Sequence, residues 1–485
     1  MNDLARLAVA AALEAGADYA DARVVDRTHE QITVKNGAVE GVACDTDAGI
    51  GVRVLVGGHW GFASTAKLEP DAIREAARLA VRVGRASGQV PTEAVSLSDV
   101  DPVTDRWASQ FQTDPFEVPL EDKIDLLLDA DRAIRQEPKV RVSQAVFRAY
   151  RDQKWFSSSE GSDIEQANLE CGAQLSAQAV EGEETQERSF PSGLDGYYAA
   201  RGYEVVTDED WVAGGERIGR EAAALLSAAP CPSGEQPLII DGSHMALQVH
   251  ESCGHPIELD RVFGSEASYA GTSFLTPDKL SGFRYGSDLV NLTADATVRG
   301  GCGTFGYDDE GVPAQRTPIV AGGLFAGYLT SRETAPRLGW KSNGSMRADG
   351  WNRMPIVRMT NINLEPGDWT LEEMIQDMGD GLYFETTKSW SIDDLRLNFQ
   401  FANEIGWQVK GGSLGKVVKN PTYQGVTPEF WGRCDAIGNR DHWRMWGVLN
   451  CAKGQPIQLI HVGHGAPPTR FSKVRVGVMR EGESE

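Results

Sequence analysis

Features that define several protein classes are absent from this chain of 485 residues. No stretch approaches the roughly 18 uninterrupted apolar residues that a membrane-spanning helix needs, so we expect no membrane partner. Lysine and arginine total 47 against 70 acidic residues, which gives a formal net charge of −23, and they form no cluster. This balance argues against nucleic acid as a partner, because phosphate neutralisation needs clustered cations.

Cysteine is also scarce, and no two cysteines form a CxxC pair. The seven cysteines lie at positions 44, 171, 231, 253, 302, 434 and 451. An odd, scattered set is typical of free thiols in a reducing compartment. Residues 1–20 have the pattern of an amphipathic helix with acidic positions, which differs from a secretory signal. We therefore expect a cytoplasmic protein.

Hydrophobic periodicity divides the chain into two halves. The first half alternates helical and strand-like patterns, and the second is richer in glycine, with short strands. Helices are predicted at about 3–16, 70–86, 120–136 and 208–228, strands at 22–25, 31–35, 51–56 and within 139–181, with a hairpin turn at Asn36-Gly37. Residues 228–237 are the best linker candidate. The boundaries that follow are a first domain at 1–229 and a second at 237–485.

The most informative segment is His250-Glu251-Ser252-Cys253-Gly254-His255. Two imidazoles that bracket a carboxylate are what a hydrolytic zinc site needs, since the rings hold the metal and the carboxylate takes a proton from water. A spacing of five rotates the second ring by roughly 140° on an ideal helix. Both rings can therefore reach one ion only if the backbone gains a π-bulge or unwinds near Gly254 and Pro256.

A catalytic zinc ion typically takes three protein ligands, and the third is not decided by spacing. Five residues late in the chain are eligible by chemistry: Cys434, His442, Cys451, His461 and His464. The residues alone leave all five open, because folding can bring any of them to the histidines.

Four ordered blocks resemble the TldD side of the TldD/PmbA (TldE) family of metalloproteases. They are the N-terminal hairpin region up to Gly61-Phe62-Ala63, the HExxxH motif at 250–255, and the segments 307–317 and 355–361. A fifth segment, 451–456, is similar to the family's Cys-Gly-Lys-x-Gly-Gln block. That likeness implies that Cys451 is the third zinc ligand and that Cys434 is not.

The chain departs from the family pattern around this last block. Ala452 stands where the family has glycine, the lysine-to-glutamine interval is one residue shorter, and His461 and His464 occupy a tail that is usually apolar. These differences concern the local loop path and the substrate pocket. Cys253, inside the motif, is interpreted as a packing residue.

The resemblance implies an α+β fold, with an N-terminal helix-and-antiparallel-sheet domain and a β-rich C-terminal metalloprotease domain. One Zn²⁺ per chain would be held by His250, His255 and Cys451, with Glu251 as the catalytic base. An oxyanion donor is also needed, and the candidates are Tyr307, Arg358 and His442. The acidic run 308–310 could bind a calcium-like ion, but a solvated turn or a peptide-binding edge is favoured.

The implied activity is hydrolysis of extended or unfolded peptides, with the possible maturation of a modified peptide. The implied partner is a PmbA/TldE-type subunit in a heterodimer, with self-association as a further possibility. Two alternatives stay open: a dedicated natural-product enzyme that hydrolyses one modified peptide or amide, and a non-catalytic, zinc-bearing peptide-binding subunit. Glu251 argues against the second alternative, because a structural zinc site does not use a base.

Overall fold

The first sheet is built on the hairpin that Asn36-Gly37 predicts. In the computed structural model, which describes residues 1–90 and 93–477, strand β1 (Tyr19–Lys35) pairs antiparallel with β2 (Ala38–Val56) across this turn. Asn36 and Gly37 have φ angles of 50° and 83°, and an Asn-Gly pair accepts such left-handed values readily. The runs at 22–25 and 31–35 are one continuous strand, so their prediction as separate strands was wrong.

Within the described residues, the chain alternates short helices with many strands. The helices α1 to α9 are Asn2–Glu14, Pro70–Ser87, Leu120–Ile134, Glu204–Thr207, Trp211–Ser227, Gly242–Val249, Leu259–Val262, Leu371–Met378 and Thr427–Gly432. Strands β3 to β8 are His59–Thr65, Thr104–Ala108, Val140–Ser158, Asp163–Glu181, Glu184–Phe190 and Tyr197–Ala199. Strands β9 to β24 are Ala229–Pro230, Gly234–Ile240, Leu292–Asp295, Arg316–Ala321, Leu324–Phe325, Met346–Arg347, Ile356–Val357, Ile362–Leu364, Gly381–Ile392, Asn398–Lys410, Ser413–Lys419, Thr422–Val426, Cys434–Ile437, Arg444–Lys453, Gln458–Ala466 and Thr469–Val476.

The first sheet has the order β3-β2-β1-β5-β6-β4, with β7 and β8 also paired to β6. Helix α2 buries Ile73, Ala76, Ala77 and Ala80, the apolar stripe that its period of 3.6 predicts. Helices α1 and α2 pack over β1 to β3, while α3 and α5 pack over β5 and β6. The four predicted helices and the strand content of 139–181 are confirmed.

The second sheet has the order β17-β10-β24-β20-β18-β19-β9, and smaller sheets surround it. The segment predicted as a linker takes part in it, because β9 pairs with β19 and β10 begins at Gly234. The largest buried core surrounds the histidine motif. The α+β class is confirmed, while the domain boundary between residues 229 and 237 stays a prediction. No helix in the described ranges is long and apolar enough to cross a bilayer.

The acidic run 308–310 is a buried junction between the first sheet and the C-terminal half. Asp309 accepts hydrogen bonds from Arg23 at 3.1 Å and from Lys154 at 2.5 Å, and Glu310 accepts from Arg53 at 3.1 Å. All three acidic side chains are buried, so the prediction of a solvated turn or binding edge was wrong. The sequence pattern misled because cations more than 150 residues away in the chain compensate the charges.

Candidate metal centre

The histidine motif follows directly from a central strand of the second sheet. Strand β10 lies between β17 and β24, and Asp241 comes immediately after it. The Asp241 carboxylate accepts hydrogen bonds from the backbone N–H groups of Ser243 and His244, at 2.8 and 3.2 Å. These first-turn groups have no partner inside the helix, so the cap stabilises the start of α6. Every residue of α6 is buried, and the helix carries the motif into the core.

The backbone departs from α-helical geometry across the motif, as the five-residue spacing predicts. His250–Gly254 form a π-helical turn, and His255–Ile257 form a 3₁₀ turn. A π turn holds more residues than an α turn, so positions five apart come to one face. The His250 and His255 ring centroids are 4.9 Å apart, and the predicted π-bulge is confirmed. Gly254 is needed here because a Cβ would lie 2.2 Å from the Met359 sulfur.

Three donor atoms, from His250, His255 and Cys451, lie within 4.8 Å of one another, and these three residues are called the donor triad below. The three residues are at most 5% exposed. Cys451 lies on β22, and its Sγ is 3.8 Å from His255 Nε2. A four-coordinate zinc ion with bonds of 2.0–2.3 Å separates its ligand atoms by about 3.5 Å, so the donor set fits zinc in spacing as well as in chemistry.

The Cys451 thiol has the electrostatic surroundings of a thiolate. Burial by itself would raise its pKa, but the positive charges of His250, Arg358 and His255 outweigh burial and hold the pKa well below the ordinary value. The thiolate is the form that binds metals. Cys451 is therefore suited to ligation before any ion is present.

Hydrogen bonds outside the donor triad define which nitrogen each histidine presents. His464 Nδ1 donates to the Ile362 carbonyl at 3.1 Å, which leaves Nε2 to accept from His250 Nδ1 at 2.8 Å. His255 Nδ1 donates to the Glu258 carboxylate at 3.1 Å. Both motif histidines thus use Nδ1 for an outer partner and leave Nε2 for an ion, the arrangement by which outer partners orient metal-binding rings.

Glu251 lies beside the donor triad and contacts one cation. Its Oε2 accepts a hydrogen bond from Arg396 Nη1 at 2.7 Å, and the Glu251 side chain is 7% exposed. Burial lowers the pKa of His250, but the charges of Cys451 and then of Glu251 outweigh it, so the pKa is raised. The carboxylate is therefore within electrostatic reach of a candidate ligand ring.

A buried chain of hydrogen bonds supports the helix from behind. His244 Nε2 donates to the Tyr423 hydroxyl at 2.9 Å, and Tyr423 donates to Gln248 at 2.8 Å. His244 Nδ1 accepts from Thr387 at 2.8 Å. Both ring nitrogens are therefore used by a neutral imidazole, and burial lowers its pKa from 6.5 to about 3.

His244 should make the protein sensitive to acid. Its contribution to stability is complete above the unfolded pKa of 6.5 and is lost as the pH falls toward the folded value of about 3. Between pH 7 and pH 5 this histidine should remove about 2 kcal/mol from the free energy of unfolding. Urea titrations at both pH values should show that loss in the parent and a smaller one in His244→Gln. Equal pH dependence of the two proteins would contradict the assignment.

The three predicted oxyanion donors bond elsewhere. Tyr307 donates to Asp105 at 2.6 Å on an exposed edge, and His442 Nε2 accepts from the Leu371 N–H at 3.4 Å. Arg358 is fully buried and donates to the backbone carbonyls of Cys451 and Gln458. Arg358 thus binds the backbone of β22 at Cys451 and of β23 at Gln458. This geometry does not support the oxyanion role for any of the three.

The donor triad does not include Cys434, Cys253 or His461. Cys434 lies on β21 and Cys253 packs in the core, and burial raises the pKa of both thiols. His461 Nδ1 contacts Glu170 at 2.7 Å, and its ring packs against Tyr150. In residues 1–90 and 93–477, the only group of three such donors close enough to hold an ion is the one described above.

Sequence reasoning missed three residues that surround the triad. Glu258 follows His255 by three positions, a helical spacing that could have indicated the contact. His464 is eligible as a ligand by its residue type, but no local signal indicates its role as the partner of His250. Arg396 also has no signal, because nothing near it in the sequence relates it to a residue 145 positions away.

Family models match three consecutive segments of the chain. They describe PmbA/TldA metallopeptidase domain 1 at residues 20–84, the central domain at 113–229 and the C-terminal domain at 233–478. A metalloprotease of Methanocaldococcus jannaschii is 30% identical over 425 residues, which cover 88% of this chain and 90% of that protein. A zinc metalloprotease TldD homolog of Saccharolobus solfataricus is 24% identical over 468 residues, which cover 96% of this chain and 97% of that protein.

Solved structures share the fold. A Thermotoga maritima protein described as a modulator of DNA gyrase has a TM-score of 0.77 at 17% identity, over 98% of this chain and 99% of that chain. TldE from Thermococcus kodakarensis has a TM-score of 0.73 at 16% identity, over 98% and 99%. At these identities the likeness concerns the arrangement of helices and strands alone.

Proposed function

The chain belongs to the PmbA/TldD metallopeptidase family, and from that premise we propose that it is a zinc-dependent peptidase of TldD type. The observation that carries the proposal is the convergence of His250, His255 and Cys451 beside Glu251, from two segments about 200 residues apart. The Saccharolobus relative is named a zinc metalloprotease, which supports zinc as the metal.

The residues present divide the chemistry between them. His250 Nε2, His255 Nε2 and Cys451 Sγ would hold the ion, which when bound polarises the scissile carbonyl and lowers the pKa of water. Glu251 accepts the proton of the attacking water and passes it to the leaving amine. A purely structural site would have no use for this carboxylate beside three ligands.

The proposed substrate is an extended or unfolded peptide. As whole residues, the ligands and Glu251 are each at most 5% exposed, so a folded protein surface cannot approach them. An extended chain is thin enough to enter and can be held by main-chain pairing to a strand, which gives little side-chain preference. The maturation of a modified peptide is one use of such an activity.

A cytoplasmic location stays a prediction.

The proposed partner is a PmbA/TldE-type subunit that completes the enclosure of the site. We expect the isolated chain to fold, to bind close to one zinc ion and to cleave unstructured peptides much more slowly than the protein co-expressed with such a subunit from the same genome. Mass spectrometry of the products measures the cleavage of an unstructured and of a folded substrate. Light scattering at the assay concentration shows whether the chain is monomeric or assembled.

Three results would count against parts of this proposal. Undiminished turnover by a strictly monomeric preparation would remove the need for a partner. A zinc-loaded assembly that binds but cuts no peptide would favour the non-catalytic alternative. A zinc-loaded assembly that cuts one modified peptide and no ordinary one would favour the natural-product enzyme.

His464 should contribute to zinc affinity although it is not a ligand. His464→Leu removes the acceptor of the His250 Nδ1–H bond, so zinc affinity should fall about 10–100-fold, as for loss of other outer partners. His464→Gln retains a carbonyl acceptor and should recover part of the affinity. Chelator competition measures the effect, and His461→Leu is the matched control. If His464→Leu kept the parental zinc affinity, the hydrogen bond between His250 and His464 would not contribute to zinc binding.

A further inference from the structure

Arg396 is the cation in direct contact with the proposed base. Its Nη1 donates to Glu251 Oε2 at 2.7 Å, and its side chain is 15% exposed. The neighbouring cations are used differently, because Arg358 binds backbone carbonyls and Lys453 lies 2.7 Å from Asp260. Of these three cations, Arg396 is the one that contacts Glu251 and keeps part of its side chain exposed.

The turn between β17 and β18 holds Arg396 in an uncommon conformation. The residue has a φ angle of 62°, a left-handed value that is unfavourable for an arginine. Asp393 closes the turn by accepting from the backbone N–H groups of Leu397 and Asn398, at 2.7 and 3.1 Å. The Thr427 hydroxyl donates to the Arg396 carbonyl at 3.2 Å. Strain that surrounding bonds maintain in this way is frequent at functional positions.

The same turn is docked against the segment that follows the motif. The backbone N–H groups of Thr272 and Phe274 donate to the carbonyls of Asp394 and Leu395, both at 2.9 Å. A Cβ at Gly271 would lie 2.1 Å from the Asp394 carbonyl oxygen, so the two backbones are in close contact. The arginine is therefore presented by a braced turn, which pre-orders its side chain.

The Arg396 guanidinium has more N–H donors than its hydrogen bond to Glu251 uses. A guanidinium carries five N–H groups, and the bond to Glu251 uses one of them. Arg396 Nε is buried and has no hydrogen-bond partner among the described residues. The guanidinium can therefore hold Glu251 and donate to a further acceptor at the same time.

We propose that Arg396 is the oxyanion-stabilising catalytic residue, a role that rests on the proposed peptidase function. As the water oxygen bonds to the carbonyl carbon, the electron pair of the C=O double bond moves to oxygen, and Arg396 donates N–H bonds to it. The water proton passes to Glu251 and then to the leaving nitrogen, while the carbon–nitrogen bond breaks. Between turnovers the guanidinium holds the Glu251 carboxylate in place.

The first test is the kinetics of Arg396→Ala in the zinc-loaded assembly with its partner. We expect kcat to fall about 10²–10³-fold with little change in KM and unchanged zinc content, as for loss of an oxyanion donor. Added guanidinium ion, below denaturing concentrations, should restore part of the rate. Arg299→Ala, which removes an exposed arginine, is the control and should keep the parental rate.

A second test separates oxyanion binding from positioning of Glu251. A phosphinic peptide has a tetrahedral centre whose oxygens mimic the oxyanion, and its binding can be measured by calorimetry in Glu251→Gln protein. Adding Arg396→Ala to the Glu251→Gln protein should weaken the binding of the phosphinic peptide by a factor similar to the loss in kcat/KM that Arg396→Ala causes. Unchanged affinity would mean that Arg396 acts only through Glu251, and it would overturn the proposal.

The remaining outcomes are also decisive. If Arg396→Ala fails to fold, Arg396→Met keeps a long side chain without N–H donors, and a parental kcat in that variant would overturn the proposal. Full activity in Arg396→Ala overturns it while leaving the peptidase function intact. A parent assembly without peptidase activity overturns both.

Discussion

Glu251→Gln protein is expected to bind zinc normally and to lose nearly all peptidase activity. Glutamine has a similar volume and can still accept the hydrogen bond from Arg396, but it cannot take a proton from water. General-base catalysis is typically worth 10²–10⁴-fold, so kcat should fall by about that factor. Zinc content by elemental analysis and turnover of an unstructured peptide are the two measurements.

The matched control for this change is Glu429→Gln, which removes an exposed carboxylate. That variant should keep parental activity. Full activity in Glu251→Gln with zinc present would show that Glu251 is not the base, and the interpretation as a peptidase would then need another proton acceptor. The same variant would still report on zinc binding, since Glu251 is not among the three donors.

Cys451→Ser should remove zinc, whereas Cys434→Ser and Cys253→Ser should retain it. The Cys451 pKa is held well below the ordinary value, so a thiolate is available, while a serine hydroxyl stays protonated and is a poor ligand. The other two thiols are buried with raised pKa values and lie outside the donor triad. The loss in affinity should exceed the ~10–100-fold that loss of an outer partner costs.

Elemental analysis after dialysis against a weak chelator distinguishes these variants. His255→Ala is the parallel test on the motif side and should lose both zinc and some thermal stability, because the ion ties two segments of the chain together. If Cys434→Ser lost zinc and Cys451→Ser kept it, the identification of the third ligand would be wrong.

Much of the local structure follows from short-range patterns in the sequence. The apolar stripe of α2 and the Asn36-Gly37 turn are determined by neighbours within a few residues, so periodicity and turn chemistry suffice. The π-bulge was predictable because two histidines five apart cannot share a ligand on a regular α-helix. The resemblance to the family, in turn, indicated Cys451 among five eligible residues.

Other features depend on partners that are distant in the sequence. The consecutive acidic residues 308–310 predict a solvated turn, yet Arg23 and Arg53 neutralise Asp309 and Glu310 inside the protein. Tyr307, Arg358 and His442 have side chains suited to an oxyanion donor, but each makes its hydrogen bonds elsewhere. Residue type indicates which chemistry is available but carries no information on distance.

The sequence by itself determined four helices and the Asn36-Gly37 turn of the first half, the family and the residue types of the metal centre, because these depend on local spacing or on ordered motifs. Only the tertiary structure decided that His464 and Glu258 orient the two histidines, and that Arg396 contacts Glu251. The physical reason is that hydrogen bonds and ion pairs act over about 3 Å in space. The packing of strands brings together atoms that the chain separates by more than 200 residues, as in the contact of His250 with His464.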